Sequence, residues 1–303
     1  MQQQRIERSS RRRGRREVLL TVALFVVSIQ VLLPLAFYGL RNHMIFLPST
    51  DMNAADGLQS FGSPANLKVT ELIRADGRRL EAYEAVHRDD RERPALLFLH
   101  GNGGNLAWRT LLASRLAREL DVDLLMLDYS GYGGSEGSPS PEDVVLDAVT
   151  AYEYLLARGI EWNRIVLFGE SLGGGVAFEL ASRKPVAGIV TQSTFSSLSS
   201  MVGHVYPWMP LLSWLARDTF PSARHASALD VPVLVVHGDR DDLIPVDEAH
   251  RLHAALASGT VGDRAELLVL EGADHNNVFE AGGVSYLETL RQRCWMWTGL
   301  SSG

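Results

Sequence analysis

Residues 165–175 read Ile-Val-Leu-Phe-Gly-Glu-Ser-Leu-Gly-Gly-Gly, and this stretch decides the fold. Its first four residues are apolar, β-branched or aromatic, and predict a short buried strand. The pattern G-x-S-x-G follows over residues 169–173, and the apolar run after it predicts a helix. In that strand–turn–helix context the turn holds a serine at the carboxyl end of a sheet. Ser171 is therefore the predicted nucleophile, and the backbone N–H of Leu172, at the start of the helix, is a predicted oxyanion donor.

The G-x-S-x-G pattern occurs three times in the chain, so its context has to select among the copies. Residues 133–137 lie in a long glycine-rich loop with no strand directly before them. Residues 299–303 have no acid or histidine after them. Only the copy at Ser171 lies between a predicted strand and a predicted helix.

A membrane anchor is predicted for residues 18–40, a run of 23 residues without a charged side chain. As a helix, this run is long enough to cross a hydrocarbon core of ~30 Å. A cleaved signal peptide and a twin-arginine signal are the alternatives. The length of the run and the lack of a convincing small-x-small cleavage site favour an uncleaved anchor.

The charge of the chain is unevenly placed. The formal net charge is −7, yet residues 1–17 hold seven arginines and two glutamates. A basic arm can bind nucleic acid, but this one precedes the apolar run, so we predict contact with a membrane and no nucleic-acid partner. The positive-inside rule then predicts a cytoplasmic arm over residues 1–17 and a catalytic domain outside the cytoplasmic membrane, periplasmic in a Gram-negative bacterium.

The remaining chain divides by composition. Residues 41–66 contain many Asp, Gly, Ser and Asn residues and are predicted to be a linker. Strand and helix patterns then alternate over residues 67–297, which predicts an α/β fold with a doubly wound, mostly parallel sheet and a ligand site at the carboxyl ends of its strands. Residues 194–230 interrupt the alternation. Residues 298–303 form a short tail.

The loop at residues 237–245 follows a predicted strand and carries three carboxylates: Asp239, Asp241 and Asp242. Any one of them could orient a catalytic histidine. The spacing lacks the glycine and the distal glutamate of an EF-hand calcium loop. The single cysteine offers no metal-ligand spacing either. We therefore predict no metal and no cofactor.

His275 is the predicted base. It lies on the loop after the next predicted strand, where a side chain can reach Ser171. His250 and His253 also follow the acids, but they fall three residues apart within a predicted helix. The order serine, acid, histidine is that of one known class of catalytic triad.

A glycine-rich loop at residues 100–105 reads His-Gly-Asn-Gly-Gly-Asn. It lacks the lysine of a P-loop and does not fit G-x-G-x-x-G, so nucleotide binding is not predicted. A turn rich in glycine exposes backbone N–H groups, which suits an oxyanion hole formed by Asn102 and Leu172. His100 is predicted to hold the loop rather than to act as a base.

Several sequence motifs occur in a fixed order along the chain. They are residues 100–105, residues 128–133 (Asp-Tyr-Ser-Gly-Tyr-Gly), residues 169–173, the H-G-x-x-D-x-x-I-P run at 237–245 and residues 272–275 (Gly-Ala-Asp-His), with Met44-Ile45-Phe46-Leu47-Pro48 after the predicted anchor. In this order they resemble the α/β-hydrolase superfamily over about residues 67–297, and most of all its membrane-tethered serine hydrolases with an H-G-N-x-G-N loop. The resemblance implies that Asp241, the fourth residue after His237, is the triad acid.

The segment at residues 194–230 is rich in aromatic side chains. Insertions at this point of α/β-hydrolases commonly form a cap over the nucleophile, so the resemblance implies that this segment, called the cap segment below, is a small helical cap. We expect Trp208 and Trp214 to line an acyl pocket above Ser171. The alternative is that these aromatic residues only pack a helical hairpin onto the sheet.

The sequence thus predicts a membrane-anchored serine hydrolase of carboxylic esters, with thioesters or lipid-like acyl groups as further substrates. His275 would take the proton of Ser171, and Asp241 would hold the imidazole in the required tautomer. A small-molecule or lipid-like acyl substrate and the membrane are the predicted partners. A serine peptidase and a catalytically silent membrane-tethered binding protein are the alternatives.

Overall fold

An eight-stranded sheet forms the centre of the protein in the computed structural model, which describes residues 2–62, 67–87 and 91–301. The strands of the described residues are β1 (Leu47–Pro48), β2 (Leu67–Ile73), β3 (Arg79–Ala85), β4 (Ala95–Leu99), β5 (Gly103–Gly104), β6 (Asp123–Leu127), β7 (Ile165–Glu170), β8 (Gly188–Gln192), β9 (Val233–Gly238) and β10 (Ala265–Leu270). The order in the large sheet is β10-β9-β8-β7-β4-β6-β3-β2. Neighbours run parallel except in the pairs β3–β6 and β2–β3. The predicted α/β fold with a mostly parallel sheet is confirmed.

Helices cover both faces of this sheet. The helices of the described residues are α1 (Gln2–Gly39), α2 (Arg41–Ile45), α3 (Ala54–Phe61), α4 (Thr110–Leu120), α5 (Pro141–Ala157), α6 (Leu172–Ala181), α7 (Leu198–Val205), α8 (Pro210–Leu215), α9 (Ser222–Ala226), α10 (Val246–Ala257) and α11 (Val278–Thr298). Residues of α5, α6 and α10 pack on one face, and residues of α4 and α11 pack on the other.

Strand β4 illustrates why the two faces form. All five of its residues are buried, as expected for a central strand covered on both sides. Because successive side chains point to opposite faces, Leu97 and Leu99 join the core under α5 and α6, while Leu96 and Phe98 join the core under α4 and α11. Burying each such side chain contributes about 1.5–3 kcal/mol.

Helix α1 carries the apolar run predicted to be an anchor. Residues Arg15–Gly39 are long and apolar enough to cross a membrane, so this helix is a candidate membrane span. Most of its described side chains are exposed. An exposed apolar surface of this length is stable in a lipid environment and unstable in water.

The segment predicted to be a linker differs from a free tether. It contains α2, β1 and α3, and Phe46 within it is only 2% exposed. Strand β1 pairs in parallel with β5, with Leu47 opposite Gly103. Helix α3 begins with a capping box in which Asn53 and Asp56 exchange side-chain and backbone hydrogen bonds. The apolar side chains of the segment therefore dock it on the domain.

Residues 194–230 leave the strand–helix alternation as predicted. They contain the short helices α7, α8 and α9 between β8 and β9. Helix α9 packs against α6 and α10, whereas α8 packs against α7 and against the N-terminal helix α1.

Candidate active site

Ser171 lies in a strained turn between β7 and α6. Its backbone angles are φ 52° and ψ −116°, a region that non-glycine residues rarely adopt and that costs about 1–3 kcal/mol. A Cβ at Gly173 would overlap the carbonyl oxygen of Leu99, and one at Gly169 would overlap the backbone of Gly174. The glycines of the pattern are therefore required by close packing of the turn.

Neighbouring groups hold the Ser171 backbone in this conformation. Its N–H donates to the carbonyl oxygen of Gln192 at 2.8 Å. Its carbonyl oxygen accepts from Thr194 Oγ1 at 2.7 Å and from the backbone N–H of Gly174 at 3.0 Å. These bonds offset the strain and fix the direction of the side chain.

Asp241 and His275 form a close pair. The distance from Asp241 Oδ2 to His275 Nδ1 is 2.7 Å, and the carboxylate is buried. Asp241 Oδ1 accepts hydrogen bonds from the backbone N–H groups of Leu243 at 3.0 Å and Ile244 at 2.8 Å. The second oxygen is also 3.3 Å from His237 Nε2. The carboxylate is thus held in one orientation.

The electrostatics of Asp241 favour its charged form. Burial by itself would raise the pKa of this carboxyl group, but hydrogen bonds from His237, His275 and the backbone N–H of Ile244 outweigh burial and hold the pKa well below its usual range. An ionised acid bound to Nδ1 leaves Nε2 of the imidazole as an acceptor.

The other candidate acids and histidines lie elsewhere. Asp239 Oδ1 accepts from the backbone N–H of Gly272 at 2.6 Å, and Asp242 is exposed. His250 is exposed on α10, and His253 on the same helix lies 3.3 Å from the carbonyl oxygen of Ala265.

Ser171 and His275 line one open cleft of about 800 Å³ at the carboxyl ends of the strands. Apolar side chains of α4, of the turn before α4, of the loop after β9 and of α11 form part of its wall, and charged groups lie among them. The lining includes Trp108, Leu111, Leu112, Leu243 and Phe279 together with Arg109, Arg115, Glu170 and Glu280.

The glycine-rich loop after β4 lies against Ser171. A Cβ at Gly101 would be 3.3 Å from Ser171 Cβ. The carbonyl oxygen of Asn102 accepts from Tyr132 Oη at 2.8 Å and from the backbone N–H of Leu47 at 3.0 Å. Asn102 lines the cleft, and Leu172 is buried as the first residue of α6. The two predicted oxyanion donors therefore flank the turn at Ser171.

His100 is buried behind the loop. Its Nδ1 is 2.7 Å from the carbonyl oxygen of Gly101, and its Nε2 is 3.4 Å from Asp128 Oδ1. The rings of Tyr129 and Tyr132 pack on it, with centroids 4.4 and 5.1 Å away. It contacts the loop rather than the cleft.

Arg109 also lines the cleft, although the sequence analysis did not predict it. Its guanidinium donates to the carbonyl oxygens of Asn105 at 3.2 Å and Gly103 at 3.1 Å, and Nε lies 3.5 Å from Glu170 Oε2. It thus joins the loop to the residue before Ser171. No motif marks this arginine, and nothing in the sequence distinguishes it from the other arginines of the chain.

The prediction that Trp208 and Trp214 line the pocket does not agree with the structure. Their side chains are 53% and 56% exposed, and the described lining of the cleft includes neither of them. The physical reason is that α8 packs against α1, which draws this part of the cap segment to the N-terminal helix. Within the described parts of the chain, no cluster of three or more His, Cys, Asp or Glu side chains is placed to hold a metal ion.

Comparison with known proteins agrees with this architecture. A family model described as the alpha/beta hydrolase fold matches residues 94–221. The uncharacterized protein Rv2307c of Mycobacterium tuberculosis (strain ATCC 25618 / H37Rv) is 36% identical over 218 residues, which are 72% of this chain and 75% of that protein. The chain belongs to the α/β-hydrolase superfamily.

Solved α/β-hydrolases of more than one activity share the fold. The Pyrococcus furiosus esterase Pf2001 superimposes with a TM-score of 0.64 at 18% identity, over 84% of this chain and 98% of the esterase. A puromycin-hydrolyzing peptidase of Mycobacterium tuberculosis superimposes with a TM-score of 0.60 at 21% identity, over 78% of this chain and 40% of the peptidase. At these identities the likeness shows the fold alone.

Proposed function

We propose that this α/β-hydrolase is a membrane-anchored serine hydrolase that cleaves carboxylic esters through an acyl-enzyme. The observation that carries the proposal is the 2.7 Å contact between Asp241 Oδ2 and His275 Nδ1, on a cleft that Ser171 also lines. An acid at Nδ1 fixes the imidazole tautomer whose Nε2 can accept the serine proton. The strained turn at Ser171 supports the same role, since such strain concentrates at functional sites.

The reaction has two halves. In the first, His275 Nε2 accepts the Ser171 proton while Oγ attacks the ester carbonyl, and the imidazolium then gives that proton to the departing alcohol. In the second, His275 takes a proton from water, the hydroxide attacks the acyl-enzyme, and the proton returns to Ser171 as the acid leaves. Asp241 stabilises the imidazolium in both halves.

Two backbone N–H groups, those of Asn102 and Leu172, receive the oxyanion in this proposal. Both residues flank the turn at Ser171, and the N–H of Leu172 lies at the start of α6, where the helix dipole favours negative charge. Donors fixed before the reaction begins stabilise the tetrahedral intermediate without reorganisation.

The cleft supports an acyl substrate of moderate size. Its volume of about 800 Å³ lies in the range of small-molecule sites. Leu111 and Leu243 present apolar surface at its edge, each 58% exposed. An acyl chain that covers such surface gains about 0.8 kcal/mol for each CH₂ removed from water.

The membrane part of the proposal rests on α1. Residues Arg15–Gly39 would cross the bilayer, with the basic arm in the cytoplasm and the catalytic domain outside it. We expect the protein to stay in the membrane fraction after an alkaline carbonate wash. A tag at Gly303 should be digested by protease added to intact spheroplasts, and a protected tag would reverse the orientation.

The test of the activity uses the purified full chain with p-nitrophenyl esters from acetate to octanoate and with matched p-nitroanilides. We expect kcat/KM for the esters to rise with acyl length by up to about fourfold for each CH₂, and Ser171→Ala should abolish ester hydrolysis. Ser135→Ala is the matched control, because Ser135 belongs to the other internal G-x-S-x-G pattern but its Oγ is engaged with Glu81 N and Asp128 O, each at 2.9 Å. Faster anilide turnover would indicate a peptidase, and a folded protein inert towards both would indicate a binding protein.

A further inference from the structure

The segment that connects α7 and α8 lies beside the end of the N-terminal helix. The Phe37 and Tyr206 rings meet edge to face with centroids 5.7 Å apart. A small apolar cavity is lined by Phe37 of α1 and Met44 of α2 on one side and by Val202 of α7 and Leu212 of α8 on the other. The catalytic domain is therefore docked against the helix that would cross the membrane.

The domain contacts the C-terminal part of α1. The partly or fully buried residues near its end, Gln30, Leu33, Pro34, Phe37 and Tyr38, recur every three or four positions and form one face. The 25 residues of the candidate span are about 37 Å long as a helix, whereas the hydrocarbon core is about 30 Å thick. With this excess of about 7 Å at the C-terminal end of α1, Phe37 and Tyr38 would lie at the level of the lipid headgroups.

Three large apolar side chains of α7, α8 and the segment between them are exposed. Val205 and Trp208 are each 53% exposed and Trp214 is 56% exposed. Residues 194–220 contain one acidic residue, Asp218, and one arginine, Arg217. Arg217 lies over the Trp214 ring at 4.1 Å and 3.3 Å from Asp218. A surface with little charge and two exposed tryptophans has the composition of a membrane–water interface.

We propose that the surface formed by Val205, Trp208 and Trp214 rests in the headgroup layer of the bilayer that α1 crosses. The occupant of this surface is the phospholipid interface, because the surface adjoins the end of the same membrane span. The indole rings lie at the headgroup level, where an amphipathic ring is most stable, and Arg217 is placed to meet lipid phosphate. This inference rests on the anchoring described in the proposed function.

A second contact with the bilayer has a mechanical consequence. A single helix would let the domain rotate about its exit point, whereas a helix and an inserted surface together fix one orientation. The cap segment then fixes the orientation of the domain on the membrane and does not line the acyl pocket that its sequence predicts.

The test measures tryptophan quenching in nanodiscs that contain the full chain and lipids brominated at the upper acyl positions. The chain has six tryptophans. We expect Trp208→Phe and Trp214→Phe each to remove roughly half of the quenching by bromolipid, since the two rings share the interfacial position. Trp162→Phe is the matched control, because Trp162 is 50% exposed in the turn Trp162–Arg164, before β7 and away from the carboxyl end of that strand.

The outcomes separate the two proposals. Quenching that neither Trp208→Phe nor Trp214→Phe reduces, in a chain that co-elutes with the discs, would overturn this inference alone. The same holds if cross-linking shows that Trp208 and Trp214 contact a second copy of the chain. A chain that does not enter the discs would overturn the anchoring and this inference together, while its ester hydrolysis would still be measurable.

Discussion

The backbone N–H of Leu47 donates a 3.0 Å hydrogen bond to the carbonyl oxygen of Asn102. The bond joins the segment that leaves the N-terminal helix to the loop beside Ser171. Asn102 Nδ2 donates in turn to the carbonyl oxygen of Ile45 at 3.1 Å, and Ser49 N donates to Gly104 O at 3.3 Å. Because the proposed oxyanion donor is the N–H of Asn102, its position depends on this segment.

Replacing Leu47 by proline tests that dependence. Leu47→Pro removes the N–H that donates to Asn102. The fold should tolerate proline here, because the Leu47 side chain is 57% exposed and the ψ of Phe46, 126°, suits a residue before proline. We expect kcat to fall about tenfold with little change in KM, since a displaced oxyanion donor weakens transition-state binding. Leu47→Ala, which keeps the N–H, should retain the wild-type kcat. Equal kcat in the two variants, with melting temperatures within a few degrees, would contradict the account.

Asp241 and Asp239 offer a matched pair of acids on one loop. Asp241→Asn replaces the acceptor of the His275 Nδ1 proton by an amide that can favour the wrong tautomer, so kcat should fall by about 10⁴. Asp239→Asn changes only the partner of the Gly272 N–H, and kcat should stay within a few-fold of wild type. Steady-state ester hydrolysis measures both, and similar losses in both variants would exclude the assignment of the acid.

The lowered pKa of Asp241 predicts a pH-dependent contribution to stability. A carboxyl group whose pKa is lower in the native state stabilises the fold above its unfolded pKa of ~3.9, and the contribution is lost as the pH falls through the native value. Wild type should therefore exceed Asp241→Asn in free energy of unfolding at pH 7, and the excess should shrink below about pH 4. Urea unfolding at several pH values measures it. An excess that does not depend on pH would disprove this explanation.

The strained backbone at Ser171 predicts that glycine at this position gives a more stable fold than alanine. Ser171→Gly and Ser171→Ala both lack the hydroxyl and should both be inactive. Glycine adopts a φ of 52° without strain, whereas alanine does not. Ser171→Gly should therefore be more stable than Ser171→Ala by about 1 kcal/mol, the strain outweighing the entropy of glycine. Thermal unfolding compares them, and a lower melting temperature for the glycine variant would contradict the strain.

Much of this fold is readable from the sequence because its signals are local. The apolar run at residues 165–168, the glycines beside Ser171 and the alternation of strands and helices each depend on neighbours in the chain. They predict the sheet and the turn, which the structure confirms. The choice of Asp241 among three carboxylates needed the family resemblance, since all three follow β9 within four residues.

Other features depend on contacts between distant segments. The pairing of Leu47 with Gly103 joins residues 56 positions apart, and nothing in either segment specifies it. Composition predicts a linker there because the buried Phe46 and Ala54 lie among many polar residues. The resemblance predicts Trp208 and Trp214 in a pocket above Ser171, whereas docking of α8 on α1 leaves both side chains exposed.

The most direct test of Ser171 as the nucleophile is the site of covalent modification by a fluorophosphonate. The full chain, reconstituted in nanodiscs, is treated with the probe, and the adduct is located by peptide mass mapping. We predict one adduct per chain, on Ser171, and no adduct in Ser171→Ala, because only an activated serine beside oxyanion donors reacts rapidly. An adduct on Ser135 instead, or a folded chain that takes up no probe, would contradict it.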